Sequence, residues 1–329
     1  MAVLYLDEYG ATLRATHERL IVEKDGKELA SLHPQELELV IVLANCGFTS
    51  AAAQVLLEGG IDVAFLDQHG DYLGRLEGAS SKNVLLRKKQ YALTEDADYC
   101  MAIARAMVRG KLLNMRTILM RYARAGTAGL EDGIHGIAQA QGQLEGVPTL
   151  EALLGLEGVA SAQYFVALRA IIQPPFVFDG RNRRPPQDPV NAMLGFGYAM
   201  LLSCVERAVS TVGLDVYCGF LHQDHYGRMS LGLDLMEELR SVLADSVVIA
   251  ICNRHILDPA VHFEARDGGV FLNELGRKAF VQRFHARMRE TVDYDGRSVT
   301  YYQLCVEQAR ILAACIREGR ANYPAYLTK

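Results

Sequence analysis

The spacing of apolar residues changes once along this chain, near residue 82, and that change limits the architectures open to it. Before it, short apolar runs at 3–6, 19–23, 28–31, 37–43, 61–66 and 72–77 are separated by turn signals and read as strands. Tyr9-Gly10, Lys24-Asp25-Gly26 and Gln68-His69-Gly70-Asp71 supply the turns, and 50–58, closed by Gly59-Gly60, reads as a short helix. After it, apolar residues recur at helical spacing. Helices are expected over 96–124, over 150–172 before Pro174-Pro175, and from the Asp188 cap with Pro189 to Val212. Further helices are expected from Ser230, over 273–290 and near 300–318, with a hairpin-like turn at Asp267. Gly126, Gly129 and Gly133 break the stretch between the first two. The expected fold class is α+β: a β-rich N-terminal domain (1–77), a linker and the start of the helical part (78–93), and a larger, nearly all-helical C-terminal domain (94–329).

The chain of 329 residues, 50% of them hydrophobic, can bury a substantial core. A net charge of -5 does not by itself suggest a nucleic-acid binder, so the distribution of charge matters more than its sum. The seven cysteines are scattered and never spaced Cys-x-x-Cys, which argues for thiols in a reducing cytoplasm and against a structural zinc site. No signal peptide is expected at the N-terminus, and no uninterrupted apolar run reaches membrane-spanning length.

Two places break the apolar pattern with acids. In the helix over 150–172, Leu150, Leu153, Leu154, Ala160, Tyr164 and Leu168 form one stripe, and Glu157 sits in its middle, flanked by Gly155 and Gly158. A bare carboxylate there costs several kcal/mol, so it needs a partner. In the stretch 219–240, His222 lies on a short apolar segment, and a helix from Ser230 carries Asp234 and Glu237 among leucines. Three accounts fit Glu157: a hydrogen bond to Tyr164 or to an arginine of another helix, a metal-free acid–base site, or one divalent ion shared with His222 and with Asp234 or Glu237. Oxygens with one imidazole suit manganese, or magnesium if water or carboxylate completes an octahedron. The sequence leaves open which of Asp234 and Glu237 coordinates and which orients His222, and His225 competes as a ligand.

Positive charge is clustered. Arg181, Arg183 and Arg184 share one loop, and Arg277, Lys278, Arg283, Arg287 and Arg289 load the helix after Asn273. Each cluster alone reads as solvated surface, but several around an ion site suit a phosphodiester backbone.

Four segments carry a resemblance: 156–165 with Glu157, Tyr164 and Phe165; 183–198 with Arg183, Asn191 and Tyr198; 219–222 ending in His222; and 230–240 with Asp234 and Glu237. In that order they resemble the CRISPR-associated adaptation integrases, the Cas one family, over essentially the whole chain. The resemblance implies that Glu157, His222 and Glu237 bind manganese or magnesium, with Asp234 close to the ion. It also implies that Arg183, Asn191 and Lys278 lie near the active site or DNA, and Tyr164 near the scissile region. The implied activity joins 3′-hydroxyl ends of short foreign double-stranded DNA to the repeat at the leader edge of a CRISPR array. The implied assembly is a homodimer through the N-terminal domains, two such dimers flanking a dimer of the small Cas two protein. A nuclease for branched DNA and a catalytically idle DNA-binding scaffold are the alternatives.

Overall fold

The computed structural model of the protein describes residues 2–6, 8–43, 46–66, 72–76, 78, 83–182, 185–222 and 224–329. The expected turn at 68–71, most of the expected linker at 78–81, and both Arg183 and Arg184 lie outside them. The chain divides into two units, Met1–Ser80 and Ser81–Lys329.

In the first unit the strands are β1 (Ala2–Leu6), β2 (Thr12–Thr16), β3 (Arg19–Lys24), β4 (Lys27–Leu32), β5 (Leu37–Leu43) and β6 (Gly47–Phe48), followed by α1 (Ser50–Glu58), β7 (Asp62–Leu66) and β8 (Tyr72–Arg75). One sheet has the order β1-β5-β7-β8, with β1, β5 and β7 parallel and β8 antiparallel. The other has the order β4-β3-β2-β6, an antiparallel meander with β6 added parallel to β2. Alternate residues such as Leu4 and Leu6, Leu20 and Val22, Val40 and Val42 share the core with Leu56 of α1. Full burial of each such leucine is worth about 1.5–3 kcal/mol. The strand β2 is absent from the sequence-based expectation because it turns only Leu13 and Ala15 inward, while Arg14 reaches Glu23 across the ladder at 2.5 Å.

The second unit holds α2 (Val84–Thr94), α3 (Ala97–Arg124), α4 (Glu131–Gln143), α5 (Leu150–Ile171), α6 (Pro189–Val212), α7 (Ser230–Met236), α8 (Ser246–Asn253), β9 (Phe263–Arg266), β10 (Gly269–Leu272), α9 (Glu274–Arg289), β11 (Thr291–Tyr294), β12 (Arg297–Thr300) and α10 (Tyr301–Glu318). Asp96 caps α3 by accepting the N–H groups of Asp98 and Tyr99, and Asp188 caps α6 by accepting that of Asn191. The glycine-broken stretch turns out to contain α4, which packs against both α3 and α5. Its glycines bring it close: a Cβ on Gly133 would stand 2.6 Å from that of Ala167. By length and composition α6 is apolar enough to cross a membrane, yet its Val190, Met193, Leu194, Leu201 and Val205 are buried within the unit.

The helix expected from Ser230 is short and ends before Glu237. It stops at Met236, passes through a turn at 237–239, and continues as a five-residue π-helical stretch, Ser241–Asp245, before α8. Two small hairpins were only half legible. That of β9 and β10 turns at Asp267 and Gly268 with φ of 51° and 72°, while that of β11 and β12, not expected at all, turns alike at Asp295 and Gly296. Residues 320–329 run without regular structure along α3. Asn114 of α3 donates to the carbonyls of both Glu238 and Tyr326, at 2.7 and 2.8 Å.

Candidate active site

On α3, Met107, Lys111 and Met115 follow one another at i, i+4, so Lys111 lies on the stripe that packs inward and is only 8% exposed. Its ammonium donates to Oε1 of Glu157 on α5 and stands 2.5 Å from Oε2 of Glu237, just past the end of α7. Arg240 pairs with the other oxygen of Glu237 at 2.9 Å, and Ser161 donates to Oε1 of Glu157 at 2.5 Å. Two carboxylates from separate helices thus share one buried cation. Burial opposes ionisation of Glu237, but Arg240, Lys111 and His222 outweigh it and hold its pKa at about 2. Glu157 is therefore partnered, though by a lysine and a serine rather than by Tyr164 or an arginine.

Asp234 is wholly buried and works as a bracket for the segment 220–222. Its Oδ2 accepts the N–H groups of Phe220 and Leu221 at 2.6 and 2.9 Å, and its Oδ1 accepts that of His222 at 2.9 Å. The imidazole Nδ1 of His222 lies 2.6 Å from Oδ1 as well. An ionised carboxylate only accepts, so Nδ1 carries a proton, and in the neutral ring Nε2 keeps its lone pair for a ligand. Gly219 is required at this turn, because a Cβ there would meet Oδ2 of Asp234 and Cβ of Ser230, both at 2.8 Å.

Beside these lies a cleft of about 270 Å³ whose walls include Glu157, Lys111, Tyr164, Arg181 and Arg240. The π-helical stretch turns Asp245 into its wall, where Tyr198 and Tyr164 donate to its two oxygens at 2.7 and 3.0 Å. Burial pushes the Asp245 carboxyl up to about 6, although the two tyrosines, Arg240 and Arg181 pull the other way. The guanidinium groups of Arg240 and Arg181 lie 5.1 and 5.5 Å from the ring centre of Tyr198.

The other expected residues take different places. Asn191 is buried and fixes the loop before α6: its Oδ1 accepts from Arg181 and from the Asn182 N–H, and its Nδ2 donates to the carbonyl of Gly180. Lys278 is exposed on α9, His225 is exposed, and Tyr164 is buried with its hydroxyl on Asp245. A Cβ at Gly155 or Gly158 would meet open space.

Among the described residues no three His, Cys, Asp or Glu side chains converge closely enough to hold an ion as they stand. The donor set still suits one. Two carboxylates already attract a cation to the point between them, and the imidazole, its ring fixed from behind by Asp234, offers Nε2 as a ligand nitrogen in its neutral form. The residues missed in the sequence are Lys111, Arg240 and Asp245. For Lys111 the signal was its place between two methionines of the stripe.

The family model described as CRISPR associated protein Cas1 matches residues 4–286. The CRISPR-associated endonuclease Cas1 1 of Thermus thermophilus is 36% identical over 326 residues, spanning 98% of this chain and 99% of its own length. Among solved structures, a casposase bound to integration product superposes with a TM-score of 0.85 at 23% identity, over 99% of this chain and 94% of that one. A chain of a Cas6-RT-Cas1--Cas2 complex does so with a TM-score of 0.82 at 24% identity, over all of this chain and 36% of that one.

Proposed function

The chain belongs to the Cas1 family, and from that premise we propose that Glu157, His222 and Glu237 form the centre at which it joins DNA ends into a CRISPR array. The protein is a divalent-metal-dependent DNA endonuclease and integrase. Its reaction is a transesterification: the 3′-hydroxyl of a short foreign DNA attacks a phosphodiester at the leader end of the repeat, one P–O bond forms, one breaks, and the displaced strand leaves as a 3′-hydroxyl. The observation that carries the site is the pair of carboxylates, from α5 and from the end of α7, closing on one buried cation.

Glu157, Glu237 and Nε2 of His222 would hold Mn2+ or Mg2+, the nitrogen ligand favouring manganese. Bound there, the ion supplies charge stabilisation to a phosphodiester and acidifies a hydroxyl at neutral pH. The chain's own groups do the rest. Asp234 holds the tautomer and aim of His222. Arg240 keeps Glu237 ionised, and Arg181, braced by Asn191, brings a second guanidinium to the cleft wall. Tyr164 and Tyr198 restrain Asp245, so that a titratable carboxyl lines the wall without turning into the cleft. Arg183, Arg184 and Lys278 contribute positive charge to the DNA backbone.

The partners follow the family. The chain acts in the cytoplasm as a homodimer through its β-rich N-terminal unit, two dimers flanking a dimer of the small Cas2 protein. A chain of this fold occurs in the Cas6-RT-Cas1--Cas2 complex, which supports that partnership. The test is strand transfer of a short duplex with free 3′ ends into a supercoiled plasmid bearing a leader and repeat, with the cognate small partner, in manganese or with chelator. Metal-dependent joined product is expected. Cleavage without joining would identify a branched-DNA nuclease, and silent DNA binding would identify a scaffold.

A further inference from the structure

We infer that Lys111 is a built-in counter-cation that keeps the ion site closed until a DNA phosphate takes its ammonium away. The inference rests on the ion site proposed above. Glu157 and Glu237 carry two negative charges, and Lys111 and Arg240 already balance them. The ammonium occupies the point between the carboxylates at which both would ligate a metal, so the ion and Nζ compete for the same oxygens. A divalent ion added to both cations would leave an excess of positive charge in a site that is largely closed to water, where like charges repel strongly.

Lys111 and Arg240 differ in what they can do about this. Arg240 is stacked over Tyr198 and bonded to the outer oxygen of Glu237, so its planar group is held on two sides. Lys111 sits on a flexible four-carbon stem, and its side chain also lines the cleft. Displaced from the carboxylates, its ammonium reaches into that cleft, beside Arg181, where a phosphodiester would be its acceptor. Metal loading and DNA binding then favour one another. By thermodynamic linkage each tightens the other by the same factor.

The experiment measures Mn2+ affinity by electron paramagnetic resonance of the free ion, with the full chain, in the presence and absence of a short DNA duplex. Wild type is compared with Lys111→Met and Lys111→Gln. Without DNA, both variants are expected to bind Mn2+ more tightly than wild type, by about tenfold. The duplex is expected to tighten Mn2+ binding to wild type by a comparable factor and to leave the variants nearly unchanged. Should Lys111→Met not fold, Lys111→Gln keeps an N–H donor between the carboxylates without the charge and gives the same comparison. Wild-type binding with equal or weaker affinity in the variants, or with undiminished coupling to DNA, overturns the role of Lys111 alone. Absence of Mn2+ binding in every protein overturns the ion site and this inference together.

Discussion

The backbone N–H and the imidazole Nδ1 of His222 both meet one oxygen, Oδ1 of Asp234, at 2.9 and 2.6 Å. The second oxygen of Asp234 is taken by two more N–H groups of the same segment. Asp234→Asn replaces one acceptor oxygen by a donor, so it orphans part of this set and loosens the ring. The expected result is a roughly 10–100-fold loss of Mn2+ affinity, as is typical when a ligand's support is removed, with roughly 1–3 kcal/mol lost from stability. Mn2+ titration and urea unfolding measure the two, and an unchanged metal affinity would show that Asp234 does not position His222.

Glu157→Ala removes one carboxylate from α5 and leaves Lys111 paired with Glu237. The variant is expected to fold, with circular dichroism and gel filtration like wild type, and to lose strand transfer in both manganese and magnesium. Full activity in manganese would sink the assignment of Glu157.

Glu238, next to Glu237 in the chain, is buried, accepting Tyr323 O–H at 2.8 Å and Tyr326 N–H at 2.9 Å. Burial pushes its carboxyl up to about 8, although these hydrogen bonds pull the other way. A carboxyl whose folded pKa is raised binds its proton more tightly in the folded state, so its contribution is fully present below the unfolded value and is lost as pH rises through about 8. The raised Asp245 acts in the same sense up to about 6, and the buried His285, pushed down to about 3, acts in the opposite sense below its ordinary value. Between pH 7 and 8 the decline therefore belongs chiefly to Glu238, with a slope of up to about 1.4 kcal/mol per pH unit. Urea midpoints across pH 6–8.5 should fall for wild type and stay flatter for Glu238→Gln; equal slopes would remove Glu238 from the account.

Arg183 and Arg184 follow Arg181 closely in the sequence. Changing both to alanine is expected to weaken DNA binding without regard to sequence and to reduce the slope of log affinity against log salt by about 0.9 for each phosphate no longer neutralised. Fluorescence anisotropy at several salt concentrations reads both quantities. An unaltered slope would place neither residue on a phosphate.

The legible parts of this protein are those where one property dominates. The switch from strand to helix near residue 82 follows from the spacing of apolar residues, and Glu157 stands out because a carboxylate interrupts an otherwise apolar stripe. The helix α4 was hidden because Gly133 looks like a breaker, whereas here it and Gly136 let two helices approach. Lys111 was hidden for the opposite reason: among Arg105, Arg109 and Arg116 it resembles one more solvated cation of a long helix. Only the neighbouring helices reveal that its position faces two acids. The break at 237–239 falls on Glu237-Glu238-Leu239, residue types that all suit a helix interior, so nothing in the sequence marks it.

The π-helical stretch at Ser241–Asp245 fixes the length of its segment. An α-helix advances about 100° per residue, so deleting a single residue there would swing everything on one side of the cut by more than a quarter turn. Either Asp245 would leave Tyr164 and Tyr198, or Glu237 would leave Lys111 and Arg240. The hairpin turn at Asp267 and Gly268 faces no such demand. Insertions and deletions acceptable in that turn would be lethal to the site in the five residues after Arg240, even where every remaining amino acid was unchanged.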